Sequence, residues 1–115
     1  MDKRIEALTE WGCDTKRALE RMVDDEEFYI ECLEQYMQDT ELLQLEESLS
    51  RQDIRMAFEH AHSLKGVLAN LGLTPMYQLI TEIVEPLRAG KAEDFSVQIE
   101  ELKNMKHKLE QILKL

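Results

Sequence analysis

The stretch Ile54-Arg55-Met56-Ala57-Phe58-Glu59-His60-Ala61-His62-Ser63-Leu64-Lys65-Gly66-Val67-Leu68-Ala69-Asn70-Leu71-Gly72 decides the fold. Ile54, Ala57, Ala61, Leu64, Leu68 and Leu71 recur at spacings of three and four, which lays one continuous apolar stripe along a helix. At about 100° per residue, the centre of that stripe lies roughly 120° from His62. Phe58, Glu59, Lys65, Gly66 and Ala69 fall within roughly 60° of His62. His62 is therefore expected at the edge of the core, pointing outward, with Lys65 one turn later and Gly66 beside it. Asp53 is placed to cap this helix and Gly72 to end it.

The flanking sequence reads as further helices. Asp2 to Trp11 predicts a short one with Ile5 and Leu8 inward and Gly12 as its stop. Asp14 predicts a cap for a second, through about Met22, that buries Ala18, Leu19 and Met22. Both are expected to cover one end of the body, with Trp11 as a plug in the core. Asp24 with Glu27 three residues later predicts a capping box. The helix that follows uses Tyr29, Leu33 and Tyr36, then Leu42, Leu45 and Leu49. The gap of six between Tyr36 and Leu42 predicts a bend near Asp39-Thr40, or two helices in sequence.

Thr74 before Pro75 predicts the capped start of the next helix, whose apolar face is Met76, Leu79, Ile80, Ile83 and Leu87. Pro86 removes a donor and opposes the carbonyl of Glu82, so a kink or an early end before Gly90 is expected. Asp94 is expected to start the last helix, with Phe95, Ile99, Leu102, Met105, Leu109 and Ile112 inward.

His62, Lys65 and Gly66 have a joint chemical use if the imidazole carries a phosphoryl group. A neutral imidazole is a nucleophile, its ordinary pKa of about 6.5 leaves much of it unprotonated at cell pH, and the attacking nitrogen, taken as Nε2, must be exposed. Lys65 can reach phosphoryl oxygens as a point charge. Gly66 lets a partner approach closely, which would offset the roughly 1 kcal/mol that glycine costs inside a helix. Each residue also has a plainer explanation: surface histidines are usually just solvated, helical glycines often mark close helix packing, and His–Lys pairs three apart arise by chance.

The longer string weighs against those explanations. His62-Ser63-Leu64-Lys65-Gly66-Val67-Leu68-Ala69-Asn70-Leu71-Gly72-Leu73 resembles the signature of histidine-containing phosphotransfer (HPt) domains, a His followed by Leu-Lys-Gly, small or apolar residues, and a Gly that ends the helix. Asp24 to Met37 resembles the helix before it in that family, and Thr74 to Gly90 the helix after. The resemblance implies an all-α, antiparallel four-helix bundle. It makes His62 the phosphorylated residue, Lys65 the phosphoryl contact and Gly66 the clearance for a partner. It further implies that His62 relays a phosphoryl group between response-regulator receiver domains, one of which can belong to a hybrid sensor histidine kinase. The receiver would bind Mg²⁺, so this chain is expected to need no cofactor. Docking is expected around His62, on Phe58, Glu59, Lys65, Gly66 and Ala69. Some family members have lost the His, so a helical adaptor that transfers nothing is the rival reading; retention of His62, Lys65 and Gly66 together argues against it.

One departure stands out. In several relatives, notably the phosphotransfer domains of chemotaxis-type kinases, the next helix offers Glu or Gln toward the phosphorylatable His. Counting from His62 without gaps, the matching position here is Val84, which accepts no hydrogen bond. Glu85 follows, aimed about 100° away on a regular helix. His62 is thus expected to leave Nδ1 to water, and the chain to be loaded from a receiver rather than directly by a chemotaxis-type kinase.

Composition bounds the remaining possibilities. The 115 residues are expected to form one domain, residues 1–115, and a Leu-rich, proline-poor chain with 43% hydrophobic residues is expected to be helical. A net charge of −10 disfavours nucleic acid and anionic membranes, both of which need a basic surface. No apolar run suits a signal peptide or a membrane span, and Cys13 and Cys32 lack metal or redox spacing, so a cytoplasmic monomer with structural cysteines is expected. His60 and His62 lie about 200° apart and cannot chelate one metal from a regular helix. His60 and His107 are expected to be solvated. Glu59 and His62 have the spacing used in carboxylate-bridged metal bundles, but only once. The glycines are scattered and form no phosphate-cradling loop, so neither ATP binding nor kinase activity is expected. The first Met and the well-placed ends lead to the expectation of a freestanding chain.

Overall fold

The long helix that carries His62 spans Ile54–Asn70, and the other elements are laid against it. The computed structural model describes residues 2–115, and all regular structure among them is helical: α1 (Lys3–Trp11), α2 (Thr15–Arg21), α3 (Glu26–Tyr36), α4 (Glu41–Ser50), α5 (Ile54–Asn70), α6 (Thr74–Arg88) and α7 (Ser96–Leu113). Met1, on which the expectation of a freestanding chain partly rests, lies outside the described residues. α4 packs along one side of α5 and α6 along the other, α7 packs on α6, and α1 packs on α7. Three-residue turns after α4 and α5 reverse the chain, so these neighbours run antiparallel. Lys103 Nζ on α7 meets Glu46 Oε2 on α4 at 2.9 Å, joining the two outer members of the four-helix bundle.

The core follows the predicted stripes. Ala57, Ala61, Leu64 and Leu68 of α5 are buried against Leu42 and Leu45 of α4 and Met76, Leu79, Ile80 and Ile83 of α6. Ile99, Leu102, Leu109 and Ile112 bring in α7, while Met105, expected inward, is only half-buried. In the N-terminal layer Ile5, Leu8, Ala18 and Met22 are buried; Leu19 and Trp11 are half-buried against the core, and the Lys108 ammonium lies 5.1 Å from the Trp11 ring centre. Removing a large apolar side chain from this core is expected to cost about 2–5 kcal/mol, the range for cavity-forming substitutions.

Caps decide where the helices begin and end. Asp2, Asp14 and Asp53 accept hydrogen bonds from the backbone N–H of Arg4, Arg17 and Met56, as N-caps should. The capping box expected from Asp24 and Glu27 does not form: Asp25 is the N-cap of α3, accepting from the Phe28 N–H at 3.0 Å, and Phe28 has no carboxylate to return the bond. Val23 and Asp24 take positive φ of 55° and 57° in the turn out of α2, where the Asp24 N–H binds the Leu19 carbonyl. Of the alternatives at Asp39-Thr40, two helices is the outcome. Asp39 Oδ1 accepts from the Glu41 N–H at 2.7 Å, and its carbonyl accepts from Lys106 Nζ at 3.0 Å. α6 runs through Pro86 and ends at Arg88, ahead of Gly90, with the Pro86 carbonyl accepting from the Ala89 and Lys91 N–H groups. α7 starts at Ser96, two residues past Asp94, whose Oδ1 accepts the Ser96 N–H at 2.9 Å.

Thr74 does not cap α6, against the expectation from sequence: Leu73 stands at the N-cap position and Thr74 is the first helical residue. Its hydroxyl accepts the Asp14 N–H at 3.2 Å, and that N–H is shared with the Gly72 carbonyl at 2.8 Å. The Tyr29 hydroxyl donates to the Leu71 carbonyl at 2.8 Å. The N-terminal helices are thereby fastened to the turn at the end of α5. Gly72 at this turn has φ of 69°, and a Cβ there would lie 2.5 Å from the Asp14 carbonyl oxygen. Only glycine fits both the backbone conformation and the approach of the first layer.

Candidate functional site

α5 presents His62 as its periodicity predicts. The stripe through Ala61 and Leu64 is buried, while His62 and Ser63 are exposed. Phe58 lies one turn before His62, and the two rings stack with centroids 5.5 Å apart and planes 16° from parallel. This fixes one face of the imidazole against an apolar neighbour. Among the described residues, no side chain hydrogen-bonds either ring nitrogen of His62, so both are left to solvent. Val84, the position where some relatives carry a polar group, is fully buried in the core and offers the ring nothing.

Lys65 stands one turn beyond His62, and its side chain is 20% exposed. Its ammonium lies 5.6 Å from the Tyr77 ring centre and 3.6 Å from Glu85 Oε1, both on α6. Glu85 Oε2 in turn accepts from Arg88 Nε at 3.3 Å. The Arg88 guanidinium lies 5.2 Å from the Phe58 ring centre, on the residue that stacks against His62. One circuit thus joins α5 and α6 around the imidazole: Phe58 to Arg88, Arg88 to Glu85, Glu85 to Lys65. Gly66 is exposed, and a Cβ there would meet nothing within 4 Å. Among the described residues, the glycine serves no helix–helix contact.

The other residues expected in docking are placed unevenly. Glu59 is exposed, with Arg55 Nε 3.7 Å from its carboxylate. Ala69 is exposed, and its carbonyl accepts from Arg21 Nη2 of α2 at 2.9 Å. Phe58 is half-buried, its ring engaged by both His62 and Arg88. His60 corrects an expectation: it is not solvated, its side chain is only 20% exposed, and Nδ1 lies 2.8 Å from Glu41 Oε2. The acidic start of α4 holds it, and Ser63 Oγ reaches the same carboxylate at 3.4 Å. His107 is exposed as expected, with Glu110 at 3.5 Å. Cys13 is buried beside α6, and that burial pushes its thiol up to about 12.

Sequence reasoning left out Arg88 and Tyr77. Both lie on the α6 stripe Tyr77, Thr81, Glu85 and Arg88, whose spacing of four, four and three marks one partly exposed face. That face borders α5 at the level of His62, a register that needs the packing of α5 on α6 to be known.

Comparison with known families matches residues 26–112 to the Hpt domain. The chain belongs to the Hpt domain family, whose members are phosphocarrier modules of two-component phosphorelays and interact with receiver domains or kinases of those systems. Comparison with curated proteins and with solved structures gives no match. Among the described residues, no helix is long and apolar enough to cross a membrane.

Proposed function

We propose that this protein is a phosphorelay intermediate whose His62 carries a phosphoryl group between response-regulator receiver domains. The observation that carries the reading is the exposed His62 imidazole, with a cation one turn away at Lys65 and an open surface at Gly66, inside the span that matches the family.

In the transfer, the Nε2 lone pair attacks the phosphorus of the receiver's phospho-aspartate. The N–P bond forms as the acyl P–O bond breaks, and the receiver carboxylate leaves with the electron pair. Nδ1 keeps its proton throughout, and solvent can meet it. The reverse step hands the group to a second receiver. Lys65 offsets charge on the phosphoryl oxygens, while Phe58 limits rotation of the ring. Mg²⁺ belongs to the receiver, and no cofactor or metal is assigned to this chain. It acts as a cytoplasmic monomer, docked through Phe58, Glu59, Lys65, Gly66 and Ala69. It is loaded from a receiver, which can be that of a hybrid sensor kinase, because His62 has no side chain to activate it for the harder attack on ATP.

Incubation with a receiver domain phosphorylated by acetyl phosphate tests this. The expected product is labelled protein whose phosphoryl group is labile to acid and stable to base, and absent from His62→Gln. Binding of the receiver with no such label would instead mark the chain as an adaptor.

A further inference from the structure

Lys65 and Arg88 are the two cations of the circuit, and one carboxylate holds both. Glu85 Oε1 lies 3.6 Å from Lys65 Nζ and Oε2 lies 3.3 Å from Arg88 Nε. Glu85 is 53% exposed, so its burial is not what keeps it there. A carboxylate with two oxygens directed to two cations resembles a phosphoryl group in charge and in acceptor geometry. Resting on the reading of His62 as the phosphoryl carrier, we propose that Glu85 is a stand-in anion. It keeps Lys65 and Arg88 in place while His62 is unmodified, and it gives them up to the phosphoryl oxygens when His62 is loaded.

The arrangement has an energetic consequence. The cations are already satisfied before loading, so phospho-His62 gains only the difference between two anions competing for the same partners. The carboxylate also adds repulsion near a dianionic group. Glu85 thus keeps phospho-His62 less stable, and more ready to pass the group on, than a bare His–Lys pair would. Arg88 enters the same competition from α6, and its contact with Phe58 links that exchange to the ring stacked on His62. Glu85 is a positioning residue; it touches neither the imidazole nor the reacting phosphorus.

The experiment uses potassium phosphoramidate as donor at fixed ammonia concentration. The P–N bond of the donor breaks, ammonia leaves with a proton from solvent, and the phosphoryl group bonds to Nε2. The equilibrium fraction of phosphohistidine is read by ³¹P NMR for the wild type, Glu85→Gln, Lys65→Met with Arg88→Met, and the triple variant. Exposed ion pairs of this kind imply that Glu85→Gln moves the equilibrium about three- to fivefold toward phosphoprotein. That shift should shrink by more than half in the background lacking both cations. The Arg88 Nε–H resonance should also move on loading of the wild type, and less in Glu85→Gln. An unchanged equilibrium, or an equal shift with and without the cations, overturns the proposal. If the wild type labels and only these differences fail, the carrier reading survives without the stand-in. If His62→Gln labels as well as the wild type, the carrier reading itself fails, and this proposal fails with it.

Discussion

At the scale of single residues, the groups proposed for phosphoryl transfer lie outside the buried core that holds the fold. His62 is exposed and its ring rests on Phe58, so His62→Gln is expected to shift stability by no more than about 0.5 kcal/mol while abolishing phosphoryl acceptance. Thermal melting by circular dichroism and phosphate labelling check the two halves, and labelling that survives would move the site elsewhere. Gly66 has open space where a Cβ would go. Gly66→Ala should raise helix stability by up to about 1 kcal/mol, and Gly66→Arg should block exchange with a receiver while leaving the fold alone. A Gly66→Arg protein that exchanges at the wild-type rate would show that clearance is not the glycine's use. The two buried tyrosines should behave differently from each other. The Tyr29 hydroxyl bonds the Leu71 carbonyl, and its loss in Tyr29→Phe should cost about 1 kcal/mol. Among the described residues the buried Tyr36 hydroxyl has no hydrogen-bond partner, so Tyr36→Phe should be neutral or stabilising in denaturant unfolding.

At the scale of elements, the sequence was informative wherever the signal was periodic or a single strong cap. The inward stripes of α5 and α6, the Asp53 cap and the outward direction of His62 all follow from spacing along one helix. The errors fell where two helices meet. Asp24 and Asp25 are equally good caps by type, and the choice between them depends on how the turn out of α2 is closed. Thr74 looked like a cap because local sequence cannot show the Asp14 N–H arriving from the first layer. His60 looked solvated because Glu41 lies nineteen residues away in sequence. The Glu85–Lys65–Arg88 circuit was hidden for the same reason. Gly72 offers the sharpest test at this scale. Gly72→Ala meets both a positive φ and the Asp14 carbonyl, so it should destabilise by about 2 kcal/mol or more, against the mild gain expected for Gly66→Ala. Urea unfolding of the two variants side by side reads the contrast.

At the scale of the whole molecule, burial shapes the response to alkali. Desolvation pushes the Cys13 thiol up to about 12, and it raises the Tyr29 and Tyr36 hydroxyls in the same way. These groups prefer to stay neutral in the folded state. Once pH passes about 9, the unfolded chain's thiol ionises while the folded one does not, so stability should fall steadily as pH rises from there toward 12. Cys13→Ala should flatten the first part of that fall in pH-dependent unfolding, and an unchanged slope would assign it to the tyrosines. The fastening between the N-terminal layer and the end of α5 has a different consequence. The family match begins at residue 26, yet Asp14 and the helices around it seal the turn that ends the His62 helix. A fragment trimmed to residues 26–112 would keep every residue of the proposed relay chemistry and lose the Asp14 hydrogen bonds to Gly72 and Thr74 and the close approach of Asp14 and Ala18 to Gly72. Amide protons at the start of α6 would then trade with solvent deuterium far faster than in the intact chain. The proposed relay face would rest on a scaffold that breathes from one end.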